Sequence, residues 1–415
     1  MALRVRLIAI VEDIRDSYWF VPGLMALAGL AGGLGLVLLD ARLGEEWLGR
    51  FEWFYGSRPE GARAVLSTVA SSTITVAGVV FSITLAAVTY ASGQYGPRLL
   101  TNFQRDRGNQ LTLGTFIATF LFCLVVLRTI RSAEEASADS GGTLREAFVP
   151  HLAVYGAIGL AIASIAVLVY FVHHVTDSIH INNVVARIGR QLIEDIECLP
   201  SEPPPARPAP ALTDPVGIRS TRTGYVEAAD STALLAVAAR FDLQIRLLSR
   251  PGDFVTAGQV LLEASPAASV EPEVADDCRS AFAFGRKRTP LQDLRFGIDE
   301  LVEIAARALS PGVNDPFTAI ACIDWLGAAI TLLAERHLPD GLCAGEDGVV
   351  RVGAEPLDFA SYATTAFGQL RSYAANDPNA GAHAVRTLAT IAERVRDPVK
   401  RAAIEYQREA LLAAM

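Results

Sequence analysis

The chain has 415 residues, of which 51% are hydrophobic, and its mean hydropathy of +0.32 is high for a soluble protein. These values predict a membrane region joined to a soluble region. The net charge of −9 and a pI near 5.3 argue against a nucleic-acid-binding protein, which would normally carry a basic face. The five cysteines are scattered without a C-x-x-C pair, so we expect neither a zinc site nor a disulfide framework.

The first part of the chain predicts a membrane domain. Residues 1–18 are amphipathic and interrupted by acidic residues, so we expect them to lie along the membrane surface and not to act as a cleavable signal. Four later segments approach the roughly 20 apolar residues that a span requires. The predicted four-helix transmembrane domain covers residues 19–175, with spans at 19–39, 64–91, 111–127 and 152–172.

The loops between the predicted spans differ in charge. The loop after the second span carries Arg98, Arg105 and Arg107 against a single acid, Asp106, whereas the other two loops are rich in glutamate. Basic residues favour the cytoplasmic side of a membrane. We therefore expect a multi-pass protein of the bacterial inner membrane with both termini in the cytoplasm.

The remainder of the chain predicts a cytoplasmic α+β domain. A helical period continues through residues 176–200 and indicates an extension of the fourth span, which a Pro-rich linker at 201–215 ends. Short apolar runs separated by turns predict a small β-module over 216–270. Its segment PGDFVTAGQVLLEA resembles the hairpin of lipoyl and biotinyl carrier modules, which are barrel-sandwich folds. Those carriers need a lysine on a following turn, and this sequence has none there, so we expect a structural module.

The pattern of residues 271–415 predicts a bundle of helices. In the segment NDPF, Asp315 is the expected N-cap and Pro316 the first helical residue. The helix that follows is apolar nearly all round, so we expect it to form the core of the soluble domain.

The second predicted span carries a stripe of hydroxyl and small residues. Hydroxyls recur at steps of seven, and each step turns through about 700°, which leaves a drift of only ~20°. Such a stripe suits close helix packing. It also suits a polar, ion-conducting surface, if copies of the helix surround an axis. The pore-lining candidates are Thr68, Ser71, Thr75, Gly78, Ser82 and Thr89.

Histidines mark the end of the fourth span. His173, Asp177 and His180 follow at i, i+4 and i+7, with His174 adjacent. One interpretation is a metal site on a helix face, and another is a pH sensor. The third is an interfacial His–Asp cluster near the lipid headgroups.

The densest basic run is Arg286, Lys287 and Arg288. It is a candidate for binding anionic lipid headgroups or a phosphorylated effector. The competing interpretation is a solvated or salt-bridged turn before a helix.

Enzyme signatures are absent from the sequence. It has no P-loop, G-x-G-x-x-G, G-x-S-x-G or HExxH motif, and the interiors of the four predicted spans lack an acid or a histidine. We expect no catalytic activity and no cofactor.

Several long segments of the chain resemble those of a known protein family. VAGVVFSITLAAVTYASGQYGPRLLTNFQRDRGNQLTLGTF, RIGRQL, and RPGDFV with RTPLQDLRFGIDELVEIAARALSPGVNDPFTAIACIDWLGA together resemble a bacterial family of predicted membrane proteins, domain of unknown function 2254. The resemblance covers most of the chain. It implies a multi-span inner-membrane protein with a cytoplasmic C-terminal domain, and it implies no established activity.

Three functions are compatible with these patterns. The leading hypothesis is a homo-oligomeric channel or channel-like pore, lined by the second span and assembled or gated by the cytoplasmic domain. The second is a membrane-anchored scaffold or sensor with closely packed spans and no pore. The third is a metal-linked transporter that uses His173, Asp177 and His180. Expected partners are membrane lipids, further copies of the chain and possible permeant ions, with no nucleic acid.

Overall fold

A computed structural model describes residues 18–43, 58–95, 106–131, 148–203, 205, 207–345 and 347–415. The predicted amphipathic segment at 1–18 falls almost wholly outside these residues. The protein is mostly helical and divides into two compact units. One unit lies within residues 13–180, and the other is built mainly from Ile181–Met415.

The described residues of the first unit form four long apolar helices. They are α1 (Phe20–Leu43), α2 (Pro59–Tyr95), α3 (Arg107–Thr129) and α4 (His151–Ile179). Each is long and apolar enough to cross a membrane, and so is a fifth helix in the second unit, Pro316–Glu335. With a rise of 1.5 Å per residue, α2 extends over about 55 Å, well beyond a hydrocarbon core of about 30 Å.

The helices of the first unit share two apolar clusters. In the first, Leu66 of α2 packs with Phe122 and Val126 of α3. In the second, Val80 of α2 packs with Phe116 of α3 and Phe171 of α4. Helix α1 lies so close to α3 that a Cβ on Gly29 would be 2.5 Å from the carbonyl oxygen of Ala118. Small residues permit such close approach in the absence of a hydrophobic driving force between membrane helices.

The start of α4 is capped by a side chain from α1. Pro150, the residue before α4, offers no side-chain cap. Instead, the buried carboxylate of Asp40 accepts hydrogen bonds from the backbone N–H groups of Leu152 and Ala153, each at 3.2 Å. Two of the four free donors of the helix are thereby satisfied by a neighbouring helix.

The expected continuation of the fourth span is interrupted. Helix α4 ends at Ile179, His180 is extended with φ −63° and ψ 118°, and a new helix, α5 (Ile181–Glu197), follows. The apolar face of α5, which includes Val185 and Leu192, is buried within the second unit. Helix α4 packs within the first unit and α5 packs within the second, so the two do not form one straight helix.

The second unit contains two small sheets. Their strands are β1 (Val216–Arg219), β2 (Gly224–Ala229), β3 (Gln244–Leu247), β4 (Phe254–Val255), β5 (Val260–Ser265), β6 (Phe282–Gly285), β7 (Leu342–Ala344) and β8 (Val350–Ala354). One sheet has the order β1-β5-β3-β8-β7 and the other β4-β2-β6. Among the strands of the described residues, only the β3–β8 pairing is parallel. Helices α6 (Ser231–Arg240) and α7 (Pro272–Ser280) lie between the strands in sequence.

The sheets differ from the predicted β-module in two respects. Strands β6, β7 and β8 lie in the region predicted to be only helical, and β8 pairs with β3 at Ile245↔Val352. These strands are too short to show an alternating pattern, and their partners are far away in sequence. The segment expected to be a hairpin is not one, because β4 pairs with β2 whereas β5 pairs with β1 and β3. Gly258, at φ +90°, lies in the turn that takes the chain from one sheet to the other.

The helical part of the second unit surrounds one apolar helix. Its helices are α8 (Arg295–Ala308), α9 (Pro316–Glu335), α10 (Phe359–Ala363), α11 (Arg371–Ala374), α12 (Pro378–Arg394) and α13 (Pro398–Leu412), with a π-helical turn after α10. Helix α9 packs against α5, α8 and α12. The predicted cap is confirmed, since Asp315 accepts a hydrogen bond from the Thr318 N–H at 3.1 Å and Pro316 is the first helical residue.

The Asp40 cap yields a stability prediction. The Asp40→Ala variant leaves one buried and one half-buried N–H group of α4 without an acceptor, which should cost about 1–3 kcal/mol of folding free energy. We expect a lower unfolding temperature in detergent, measured by near-UV circular dichroism or dye binding. Glu355→Ala is the control, since the Glu355 side chain is 88% exposed. Equal unfolding temperatures for the two variants would contradict the assignment of Asp40 as a cap.

Candidate functional site

The predicted pore-lining residues all lie on the free face of α2. Thr68, Ser71, Thr75, Gly78, Ser82 and Thr89 are exposed in the single subunit. The buried row of the same helix consists of Ala62, Leu66, Ala70, Thr73, Ala77, Val80, Thr84 and Ala87. At 100° per residue, the centres of these two rows lie about 180° apart around the helix. The hydroxyl stripe therefore points directly away from α1, α3 and α4.

Each hydroxyl of the stripe is satisfied within its own helix. Thr75 Oγ1 donates to the carbonyl oxygen of Ser71 at 2.7 Å, and Ser82 Oγ donates to that of Gly78 at 2.8 Å. Thr68, Ser71 and Thr89 make the same bond to the carbonyl four residues earlier. This bond uses the hydroxyl hydrogen and leaves the oxygen lone pairs pointing outwards. The stripe is therefore a row of weak, uncharged acceptors.

The small residues of the free face also follow the spacing of a helix–helix seam. Steps of three and four alternate from residue 61 to residue 82, and every position on this path is Gly, Ala, Ser or Thr. Such spacing, with small side chains, allows near-parallel helices to pack closely. Leu85 interrupts the path before Thr89. The seven positions are Gly61, Ala64, Thr68, Ser71, Thr75, Gly78 and Ser82, all exposed.

The predicted histidine cluster is only partly assembled. His173 Nε2 lies 3.4 Å from Asp177 Oδ2, with the two side chains 84% and 57% exposed. His180 is exposed and follows the end of α4. Within the described parts of the chain, no group of three or more His, Cys, Asp or Glu side chains could hold a metal ion.

His174 has a partner that sequence reasoning missed. Its Nε2 lies 2.8 Å from Asp106 Oδ1, and its ring stacks on Tyr170 with centroids 5.2 Å apart. Asp106 also caps α3 by accepting from the Gly108 N–H at 2.9 Å. The pair joins the start of α3 to the end of α4. The position of Asp106 before the RGNQ segment could have identified it as the N-cap of α3. Nothing in the sequence indicated that His174 lies beside it.

The first turn of α3 adds buried polar groups to this pair. Asn109 is 1% exposed and donates through Nδ2 to Asp106 Oδ2 at 3.1 Å, and Gln110 is 2% exposed. Asn109 Oδ1 is buried without a hydrogen-bond partner among the described residues. Buried polar groups are costly in a membrane protein and often mark functional positions. Asp106, Asn109, Gln110 and His174 thus form one polar cluster where the start of α3 meets the end of α4.

The predicted basic run is divided by the fold. Arg286 and Lys287 are exposed, whereas Arg288 is held by the carboxylates of Asp293 and Asp299. Burial acts to lower the pKa of Arg288, but its hydrogen bonds to the two carboxylates outweigh this effect and raise it. The guanidinium of Arg288 is therefore engaged by two carboxylates, as in a salt-bridged turn, and Arg286 and Lys287 are the exposed members of the predicted anion-binding run.

Two of the long motifs in the sequence meet at Asp293. Its side chain is 3% exposed and accepts from Arg288 Nε at 3.1 Å and Arg295 Nε at 3.0 Å. Arg295 also donates to the Pro251 carbonyl at 3.2 Å. A Cβ on Gly252, which has φ +90°, would lie 2.0 Å from Asp293 Oδ2. The RPGDFV turn and the QDLRFGIDEL segment thus form one ion-pair network in the second unit.

Comparison with known proteins places the chain among uncharacterised membrane proteins. A family model described as "Predicted membrane protein (DUF2254)" matches residues 15–390. Uncharacterised proteins of Mycobacterium bovis and Mycobacterium tuberculosis are 32% identical over 412 residues, which is 96% of this chain and 76% of each relative. No solved structure matches.

The match covers nearly the whole chain, both the apolar helices of the first unit and the sheets and helices of the second. The protein is a member of the DUF2254 family of predicted membrane proteins.

Proposed function

We propose that the protein is a homo-oligomeric channel or channel-like pore of the bacterial inner membrane. In this proposal α1 to α4 span the membrane, both termini are cytoplasmic, and α2 of each copy lines the axis. Helix α9 stays in the cytoplasmic domain, which assembles or gates the pore. The proposal is one of transport and involves no catalytic step.

The outward position of the hydroxyl stripe carries this proposal. A pore in a homo-oligomer is lined by surfaces that are free in the single subunit, and the stripe is such a surface. Lipid gains nothing from a row of hydroxyls, whereas a permeating ion gains weak ligands that do not trap it. The stripe bears no charged side chain between Thr68 and Thr89, so no fixed charge selects the sign of the ion.

The scaffold hypothesis is the second candidate, and one observation favours it. Every stripe hydroxyl donates to its own helix, and the small residues follow a seam of alternating three- and four-residue steps. A helix with this surface can pack against a second copy without intervening water. In that case the spans anchor the protein, and the second unit recruits a partner.

Flux through liposomes tests the pore. The Thr75→Leu, Ser82→Leu double variant places two bulky apolar side chains on the proposed axis, so it should lower ion flux about tenfold, which corresponds to ~1.4 kcal/mol on the conduction barrier. The matched control is Ile74→Leu with Phe81→Leu, because these residues are exposed on the same helix away from the stripe. Absence of flux from the natural protein, or equal flux from both variants, would refute the pore.

Thiol labelling separates the pore from the dry scaffold. Single cysteines at Thr75 and Ser82 are made in a background with Cys198→Ser and Cys343→Ser, since Cys198 is exposed and Cys343 is half-buried. A water-filled axis predicts reaction of both with a charged, membrane-impermeant thiol reagent. It also predicts slow reaction of Phe81→Cys, which is exposed on α2 about 100° from the centre of the stripe. Protection of the two stripe cysteines, together with disulfide formation between copies, would favour the scaffold.

A further inference from the structure

A surface groove runs between α9 and α12 in the second unit. Its volume is about 530 Å³. Asp324 of α9 pairs with His383 of α12 at 2.6 Å at one end, and Glu335 and Arg394 lie at the other. Because residue numbers rise together along both helices, α9 and α12 are parallel. The groove extends over eleven residues, or about 16 Å, at the helical rise of 1.5 Å per residue.

The floor of the groove is narrow and made of small or apolar residues. A Cβ on Gly327 would lie 2.5 Å from Thr387 Cγ2, so the two helices approach closely there. Thr331 of α9 and Ile391 of α12 complete the floor. A long, shallow groove of this kind fits the side chains of another helix pair better than it fits a compact ligand.

The two walls carry opposite charges. The α9 wall presents Asp324 and Glu335, and the α12 wall presents Arg386 and Arg394. Glu335, Arg386 and Arg394 are exposed, and within the described residues they form no ion pair. Because an exposed acidic row lies beside an exposed basic row, a second copy of the same groove can place its basic row against the acidic row of the first.

We propose that this groove is a self-association surface, in which α9 and α12 pack against the same two helices of a second copy. The result is a four-helix bundle. The proposal extends the homo-oligomer of the proposed function to the second unit, and it does not require a pore.

Charge complementarity selects one symmetry for the pair. A two-fold axis along the groove places the acidic α9 wall of each copy over the basic α12 wall of the other, at the same height. A two-fold axis across the groove places α9 over α9 and brings acid against acid. Like charges facing each other are unfavourable, so we infer the first arrangement, with all four helices parallel.

Heterotypic cross-linking in membranes tests this geometry. Two differently tagged copies are co-expressed in a Cys198→Ser, Cys343→Ser background, one with Ala328→Cys and the other with Thr390→Cys. Both positions are exposed and lie at similar heights on opposite walls. We expect a short bis-maleimide to join the two tagged chains. We expect Ala328→Cys alone to give little product, since across the selected axis it faces α12.

Charge exchange at one pair adds a second readout. Glu335→Arg alone, or Arg394→Glu alone, should lower the cross-link yield about tenfold, which equals ~1.4 kcal/mol. The two changes in the same chain restore opposite charges across the interface and should restore the yield. Because both side chains are exposed, neither change should unfold the protein.

Three outcomes would overturn the proposal. They are no heterotypic cross-link, a dominant product from Ala328→Cys alone, and no recovery in the exchanged variant. A groove that receives a different protein or a small ligand gives the first outcome. The readout needs no flux measurement, so a conducting protein without the cross-link refutes only this contact, and a cross-linked protein without flux refutes only the pore.

Discussion

A polar side chain among apolar helices is stable when it finds a hydrogen-bond partner in its own helix or in a neighbouring one, and the hydroxyls of α2 and the carboxylates of Asp40 and Asp106 follow this constraint. Along α2 the partner is the preceding turn, which lets Thr75 and Ser82 remain on the outer face. At the helix ends the partner is another helix. Asp40 of α1 satisfies the start of α4, and Asp106 binds His174. The apolar clusters of α2, α3 and α4 then need only shape and small residues to pack.

The second unit is stabilised differently, by a sheet core and by buried charge. Asp293 lies between two arginines and below Gly252, so the turn before β4 is fixed to the start of α8. Such a network is stable only when every charge is paired, because removal of one partner leaves an uncompensated buried charge. The exposed Glu335 of α9 and Arg386 and Arg394 of α12 contrast with it, since they form no ion pair among the described residues.

Local signals in the sequence were sufficient for some features and not for others. Helical arithmetic placed the stripe residues on one face, and the NDPF segment predicted the Asp315 cap, because both depend on spacing within one helix. The helix break at His180 could not be predicted, because no Gly or Pro lies near it in the sequence. The His174–Asp106 pair and the β3–β8 pairing join residues from separate elements, and the pattern of a single element does not encode its partner.

The parallel pairing of β3 with β8 has a consequence for synthesis of the protein. Strand β8 leaves the ribosome only after roughly a hundred further residues have followed β3, at a rate of about 5–20 residues per second. During that interval one edge of β3 has no strand beside it, and its Ile245 belongs to a core that is still incomplete. Helices α8 and α9 emerge within the same interval. The nascent second unit therefore carries an open sheet edge for several seconds, which is the kind of edge that can pair with another chain.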